Sequence, residues 1–503
     1  MSTSHDHFDL ILRGGTVYDG TGGEPFSADI GVTGDRITAL GDLSKATAKE
    51  DIDVSGMAVS PGFIDVHSHD DFHVLSSPDV EHNTLQGITT VVVGNCGFGA
   101  APYEVAAGRL GDLFELPEAV KPWDGYAGYL ATIDQVKPSL NVAVLIGHNT
   151  LRLDAMGDNQ EVPPSIDQVT LMAGWVAEGM DAGAVGFSTG LIYEPGRFSM
   201  TDEIAAVATV AGGYRGVYAS HIRNEGGGLL EAVEEAIIVG EMSGCSVQIS
   251  HHKASGSDNW GGIEQTLELI EAARERGLNV TADQYPYTSG STRLAALLQN
   301  GALTDGSGGF GRVTAEDVLI ATAPGYPSHE GRSLASFVEE WDLPAEDAAQ
   351  KILDETGDGV YVVIFMMDEG DVRRVMAHPT TMIGTDGIPA GSKPHPRAWG
   401  TYPRILGHYV RDEGVISLSD AIHKMSGMPA DKFQLAGRGL VKEGAFADLV
   451  VFDPDTVIDT ATYEDPKTPP TGMPHVIVNG NVVVRDGVHT HARAGRALRR
   501  GRE

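Results

Sequence analysis

The sequence predicts an α/β fold organised as a (β/α)8 TIM-like barrel. Short runs rich in Val and Ile alternate with longer helix-like segments through the middle of the chain, as expected for repeated βα units. Eight such runs occur, the number that closes a parallel barrel. They are PGFIDV, ITTVVVG, NVAVLIG, AVGFST, GVYAS, SVQIS, NVTAD and TMIGT. A doubly wound open sheet is the alternative to this architecture.

The two chain ends have a different pattern. Residues 1–60 hold short β-rich runs between Gly and Asp turns, and residues 426–490 hold alternating Val and Ile with an Asn-Gly pair suited to a hairpin. We expect the ends to pair into one small β-sandwich beside a catalytic barrel over 61–425. The basic, small and polar tail, 491–503, is expected to be disordered.

A long interval between the seventh and eighth strands breaks the βα rhythm. It covers about residues 290–378 and reads as an insertion. Because barrel enzymes carry their chemistry at the carboxyl ends of the strands, this insertion is placed to fold over the site as a lid. The alternative is a stabilising surface decoration.

The composition limits the partners. The 503 residues include 35 Lys and Arg against 70 Asp and Glu, a net charge of −35 that repels nucleic-acid phosphates. The start lacks a basic stretch followed by an apolar run, and no long apolar stretch occurs, so we expect no membrane association. Two cysteines cannot form a disulfide framework, which favours a cytoplasmic protein. The oligomeric state stays open.

Candidate metal ligands follow the predicted strands. Because a barrel brings the carboxyl ends of all its strands to one face, residues distant in sequence converge there. Two histidines two residues apart on an extended backbone point the same way, and neutral imidazole and thiolate suit zinc. The candidates are His67 and His69 after the first strand, Cys96 after the second, His221 after the fifth, His251 after the sixth and Asp386 after the eighth.

Several neighbouring residues can be sorted by alternation along the strands. In QISHHKA, His251 and Lys253 share one face and His252 takes the other. Lys253 then points toward a substrate, unless it is a solvated charge. Arg223 shares the face of His221, whereas Cys245 is expected in the core.

Asp386 is the candidate general base. It closes the eighth predicted strand in MIGTDG, where a carboxylate can contact a metal and take a proton from water. The competing interpretation is an Asp-Gly turn.

Taken together, these motifs resemble the N-acyl-D-amino-acid deacylases, the D-aminoacylase branch of the amidohydrolase superfamily. The resemblance covers nearly the whole chain, and GNCG in place of a carboxylated lysine is particular to this branch. The motifs that carry it include PGFIDVHSHDD, GITTVVVGNCGFGAAP, GFSTGLIYEPG, ASHIRNEG, ISHHKASG, ADQYPYTSGST, MIGTDG and HPRAWGTYPRILG.

The resemblance implies zinc-dependent hydrolysis of the amide bond of a small N-acyl-D-amino acid. It implies a tight zinc held by Cys96, His221 and His251. A second, weaker site would be formed by His67, His69 and Asp386 and bridged by Cys96.

The resemblance also implies a substrate pocket covered by the insertion. Arg397, Lys253, Tyr285 and Ser291 would surround the substrate carboxylate, and Tyr193 would line the acyl side or serve in packing. A cyclic amide hydrolase of the hydantoinase or dihydropyrimidinase kind is the catalytic alternative, and a non-catalytic binding protein on the same fold is the other. The preferred side chain and acyl group stay open.

Overall fold

The computed structural model describes residues 7–110 and 115–501. Residues 1–6 of the expected first domain and the last two residues of the expected tail lie outside this range. The chain begins with five strands that precede the barrel: β1 (His7–Val17), β2 (Phe26–Thr33), β3 (Arg36–Gly41), β4 (Thr47–Asp53) and β5 (Ala58–Pro61).

The remaining strands follow in chain order. Seven barrel strands come first: β6 (Phe63–Asp65), β7 (Ile88–Val93), β8 (Asn141–Gly147), β9 (Gly186–Gly190), β10 (Val217–His221), β11 (Ser246–Ile249) and β12 (Val280–Gln284). The others are β13 (Ser289–Arg293), β14 (Val318–Thr322), β15 (Tyr361–Phe365), β16 (Thr381–Ile383), β17 (Leu449–Phe452), β18 (His475–Val478), β19 (Asn481–Arg485) and β20 (Val488–His489).

The barrel prediction is confirmed. Strands β6 to β12 and β16 form an eight-stranded parallel sheet in chain order, and each predicted run overlaps one of them. The first and last strands meet through a bridge between Ser68 and Gly387, and the Asp386 N–H donates to the His67 carbonyl at 2.7 Å. The ends of β6 and β16 therefore lie side by side.

Helices alternate with the barrel strands and also occur within the insertion. The long helix before β9 shows how local signals set the boundaries: Ser165 and Gln168 form a reciprocal cap at its start, and it ends at Gly183 with φ +116°. The helices are α1 (His73–Ser76), α2 (Glu81–Thr84), α3 (Tyr103–Leu110), α4 (Gly125–Val136), α5 (His148–Met156), α6 (Ile166–Ala182), α7 (Thr201–Gly213), α8 (Leu229–Ser243), α9 (Ile263–Glu275), α10 (Leu294–Gln299), α11 (Leu334–Trp341), α12 (Ala345–Thr356), α13 (Glu369–Ala377), α14 (Arg397–Arg404), α15 (Leu418–Met425) and α16 (Gly427–Lys432).

The two chain ends pair as expected. β5 and β17 are antiparallel neighbours, and they join the strands of both ends into one nine-stranded sheet. Residues such as Leu12, Ile30 and Leu449 form an apolar core that belongs to this sheet. The insertion is also where it was predicted, since β13, β14 and β15 form a small antiparallel sheet between β12 and β16.

The prediction of a disordered tail is wrong for the described part. Ala497 bridges to Val142 at the start of β8, and the Leu498 N–H donates to the Val142 carbonyl at 2.7 Å. Arg499 Nη2 lies 2.7 Å from Asp134 Oδ2. The arginines that suggested disorder instead form ion pairs with surface carboxylates, such as Arg499 with Asp134 and Arg496 with Asp35. Among the described residues, no helix is long and apolar enough to cross a membrane.

Candidate metal centre

The six predicted ligands converge into two groups that share one thiol. His67, His69, Cys96 and Asp386 form one group, and Cys96, His221 and His251 form the other. Within each group the ligand atoms lie within 4.8 Å of one another. Cys96 Sγ is 3.3 Å from His67 Nε2, 3.6 Å from His221 Nδ1 and 3.7 Å from His251 Nε2. The sulfur therefore stands between the two groups.

Strained backbone places three of these side chains. Cys96, His251 and Asp386 have φ values of 53°, 36° and 48°, in the left-handed region that non-glycine residues seldom adopt. Gly97 makes the first of these turns possible, since a Cβ there would lie 2.3 Å from Asn149 Oδ1. Such strain is typical of functional sites, where the surrounding structure holds it in place.

The imidazoles around Cys96 favour its thiolate. Burial raises the pKa of the thiol, but the charge of His67 and the hydrogen bonds from His221 and His251 outweigh burial and hold the pKa well below its ordinary value. The thiolate is the form that binds metals. The sulfur can therefore bind a metal held by either group of residues.

Asp386 is held in its ionised form. Burial raises its pKa, while the charges of Arg397, His67 and His251 lower it well below the ordinary carboxyl value. Asp386 Oδ1 lies 3.1 Å from His69 Nε2, and Oδ2 lies 2.8 Å from Arg397 Nη2. One oxygen thus faces the candidate ligands and the other faces a buried guanidinium.

Two buried carboxylates that the sequence analysis missed support the histidines. Asp283 Oδ1 is 3.2 Å from His67 Nδ1 and accepts the His251 N–H at 2.7 Å. Glu225 Oε1 is 3.0 Å from His251 Nδ1 and 2.5 Å from Lys253 Nζ. A signal for Asp283 existed, because it lies near the end of the seventh predicted strand. Glu225 follows His221 by four residues, in a loop whose path the sequence does not indicate.

The predicted substrate residues lie beside the ligands. The Arg397 guanidinium stacks on the Tyr285 ring at 4.4 Å, and its Nη2 is 3.4 Å from the Ser291 carbonyl. Arg397 Nε and Nη1 are buried and have no hydrogen-bond partner among the described residues. Lys253 is buried against Glu225 rather than solvated. Burial raises the pKa of Tyr285 to about 12.

Tyr193 borders the same site. Its ring meets that of His221 edge-on with 4.7 Å between centroids, and its hydroxyl accepts a hydrogen bond from Thr292 Oγ1 at 3.1 Å. Burial raises the pKa of this phenol well above its ordinary value. Tyr193 therefore stays neutral and can still donate a proton in a hydrogen bond.

Three further residues test the alternation argument. His252 points away from the ligands toward Thr266 Oγ1, at 2.7 Å, as expected. Cys245 is buried beside the Ala208 carbonyl, also as expected. Arg223 does not join the cluster that contains His221, because its guanidinium turns outward to the Glu235 carboxylate at 2.9 Å.

An open cavity reaches the ligands. His69, Cys96 and Asp386 border it, and Ser291, Thr292 and Arg293 of β13 form part of its wall. The insertion therefore lines the site and is more than a surface decoration.

Two guanidinium groups also line this cavity. Arg293 Nη2 donates to the Arg109 carbonyl at 2.8 Å, and its Nε donates to Tyr361 Oη at 3.1 Å. The Arg109 guanidinium lies 5.4 Å from the centre of the Phe98 ring. Burial and the charge of Arg293 lower the pKa of Arg109. Within residues 7–110 and 115–501, neither guanidinium forms an ion pair with a carboxylate.

Known proteins are similar to this chain in sequence and in structure. The model of the amidohydrolase family matches residues 50–340 and 264–484. The D-aminoacylase of Alcaligenes xylosoxydans xylosoxydans is 42% identical over 494 residues, which is 98% of both chains. A D-aminoacylase structure described by its binuclear metal centre superposes with a TM-score of 0.89 at 41% identity, covering 98% of this chain and 100% of the other.

Two other solved structures are similar to this chain. The N-acyl-D-glutamate deacylase of Bordetella bronchiseptica, solved with zinc and a phosphonate mimic of the tetrahedral intermediate, has a TM-score of 0.88 at 39% identity. It covers 98% of this chain and 100% of its own. A D-hydantoinase structure reaches a TM-score of 0.57 at 16% identity, which shows a shared fold alone.

Proposed function

Because the chain belongs to the amidohydrolase family and is 42% identical to a D-aminoacylase over 98% of its length, we propose that it hydrolyses N-acyl-D-amino acids with zinc. The products are a carboxylate and a free D-amino acid. The observation that carries the proposal is the position of Cys96 Sγ between His67, His221 and His251. A cyclic amide hydrolase would need another bridging group, typically a carboxylated lysine.

The donor set fits zinc. One thiolate and two imidazoles, from Cys96, His221 and His251, match the nitrogen and sulfur ligands of tight zinc sites. His67, His69 and Asp386 offer a second, weaker site that shares the sulfur. When bound, zinc lowers the pKa of a water and polarises a carbonyl oxygen, which makes amide hydrolysis feasible near neutral pH.

Asp386 acts as the general base. Its ionised carboxylate borders the cavity and can take a proton from the attacking water and pass it to the leaving nitrogen. Its second oxygen is fixed by Arg397, so the first keeps a constant direction toward the ligands.

The substrate α-carboxylate binds to a set of four residues, Arg397, Lys253, Tyr285 and Ser291. The two unpartnered nitrogens of Arg397 are buried, which costs free energy unless an acceptor reaches them. A carboxylate is the acceptor whose geometry matches a guanidinium. One small recess is also lined by Lys253, Tyr285, Ser291 and Asp386.

Arg109 and Arg293 favour substrates with an acidic side chain. Two guanidinium groups that form no ion pair within the described residues line the cavity of a protein whose net charge is −35. A second carboxylate in the substrate would neutralise them. N-acyl-D-glutamate and N-acyl-D-aspartate carry such a group.

The test is amide hydrolysis of paired N-acetyl-D- and N-acetyl-L-amino acids with acidic and apolar side chains. Metal content is determined on the same preparation. We expect D-selective release, fastest with acidic side chains, from protein holding about one tight zinc. Hydrolysis of hydantoin or dihydrouracil without release from either acyl series would refute the deacylase proposal.

A further inference from the structure

We propose that Glu225 is the positioning residue of the tight metal site, an inference that rests on the zinc site proposed above. Glu225 Oε1 lies 3.0 Å from His251 Nδ1 and 3.8 Å from His221 Nε2. The opposite nitrogens of these rings, His251 Nε2 and His221 Nδ1, lie 3.7 and 3.6 Å from Cys96 Sγ. One carboxylate oxygen and one sulfur therefore stand on opposite sides of the same pair of imidazoles.

The Glu225 carboxylate favours the tautomers that a metal needs. A neutral imidazole has one N–H and one lone pair, and only the lone pair can bind a metal. For His251 Nε2 and His221 Nδ1 to bind, the other nitrogen of each ring must carry the proton and needs an acceptor. Glu225 is this acceptor for His251 Nδ1. His221 Nε2 has no hydrogen-bond partner in the described structure. The carboxylate is thus the nearest charged acceptor for both.

The backbone holds Glu225 in this place. Its N–H donates to the Gly309 carbonyl at 2.7 Å, and its own carbonyl accepts from the Ser255 N–H at 2.7 Å. Gly309 belongs to the insertion and Ser255 follows β11, so two separate segments fix the residue. The side chain is 2% exposed. A carboxylate so confined can orient its neighbours because it cannot rotate away.

Lys253 links this carboxylate to the substrate recess. Its Nζ lies 2.5 Å from Glu225 Oε1 and 2.8 Å from His251 Nδ1. An ammonium only donates, so Lys253 can donate to Nδ1 only when the His251 proton is on Nε2, and this contact competes with the pairing of Nδ1 with Glu225. In that tautomer Nε2, which faces Cys96, carries the proton and cannot bind a metal. A metal held at Nε2 would favour the tautomer with the proton on Nδ1, in which Glu225 accepts that proton and Lys253 keeps a donor for a substrate carboxylate.

The experiment is a measurement of zinc affinity without substrate, by competition with a chromophoric chelator, on wild type, Glu225→Gln and Glu225→Ala. Loss of a group that orients metal-binding histidines lowers metal affinity by about 10- to 100-fold. We expect about tenfold for Glu225→Gln, which keeps one acceptor oxygen, and about 100-fold for Glu225→Ala. The visible spectrum of the cobalt-substituted protein should change in both variants.

One control separates positioning from general destabilisation. Glu203→Gln alters another buried glutamate, which binds an arginine and a histidine, Arg152 and His148. This variant should keep zinc affinity and the cobalt spectrum close to wild type.

The outcomes are decisive whichever variant folds. Wild-type affinity and spectrum in Glu225→Ala would overturn the proposal, and if that variant does not fold, wild-type values in Glu225→Gln would do so. Because no substrate is present, a protein that hydrolyses none of the acyl amino acids yet loses zinc in these variants would refute the proposed function and leave the role of Glu225 standing.

Discussion

Arg397 and Asp386 form a buried ion pair at the edge of the ligand cluster. Arg397 Nη2 lies 2.8 Å from Asp386 Oδ2, and the two side chains are 1% and 11% exposed. The other carboxylate oxygen lies 3.1 Å from His69 Nε2. Asp386 therefore contacts both a candidate metal ligand, His69, and Arg397, the cation proposed to bind the substrate carboxylate. A substitution of either neighbour should change the position or the charge of the Asp386 carboxylate.

Asp386→Asn should remove catalysis while keeping the tight zinc. The amide cannot accept the proton of water, and the loss of a general base lowers the rate by about 10²- to 10⁴-fold. Since Asp386 is not among the proposed ligands of the tight site, zinc should remain. Turnover and zinc content are measured on one preparation. A variant that loses both would assign the aspartate a structural role instead.

Arg397→Met should weaken substrate binding and disturb the base together. Truncating one partner of a buried charge pair costs about 2–5 kcal/mol, which lowers kcat/KM by about 30-fold or more. KM should rise and kcat should fall, because the guanidinium contacts Asp386 and is the proposed partner of the substrate carboxylate. Arg397→Lys is the control: it keeps the charge but not the planar fork, and it should restore kcat more than KM. An effect on kcat alone would show that Arg397 does not bind substrate.

Arg293→Leu should change selectivity rather than chemistry. Without this cation an acidic side chain loses its partner in the cavity, and we expect kcat/KM for N-acetyl-D-glutamate to fall by about 30-fold or more. The value for N-acetyl-D-leucine should stay near that of the wild type. Arg109→Leu is the companion variant, with the same direction. Equal losses for both substrates would instead point to a collapsed cavity wall, since Arg293 also binds the Arg109 carbonyl.

The features that were predicted from sequence are local patterns combined with one rule of topology. The Val- and Ile-rich runs identify the strands, and the barrel brings His67 and His251 to one face although they lie far apart in the chain. His251 and His252 face opposite ways, as predicted, although β11 ends at Ile249 and His251 has a φ of 36°. The strand period sets which end of the barrel these residues reach, and the backbone just after the strands sets the direction of their side chains.

The features that were missed depend on contacts that only the folded chain makes. Glu225 reaches His251 because the insertion and the loop after β11 hold its backbone. Arg223 was expected beside His221, but it turns outward because α8 presents Glu235 to it. The tail was expected to be disordered, but the start of β8 offers it backbone partners and Asp134 offers it a charge. Composition alone contains none of this information.

Glu203→Gln should reduce stability at neutral pH and flatten its dependence on acid. Burial raises the pKa of Glu203, but hydrogen bonds and charges from His148 and Arg152 hold it below its ordinary 4.5. A carboxyl whose pKa is lower in the folded than in the unfolded state contributes stability at any pH above its unfolded-state pKa. That stability is lost as the pH falls through the folded-state pKa. The free energy of unfolding, measured in urea at pH 7, should fall by about 2 kcal/mol, as expected for hydrogen bonds to a charged group. The difference between wild type and variant should shrink steadily below about pH 4.5, where the unfolded carboxyl begins to take up its proton. A difference that stays constant from pH 7 to pH 3.5 would show that the variant acts through packing and not through the charge.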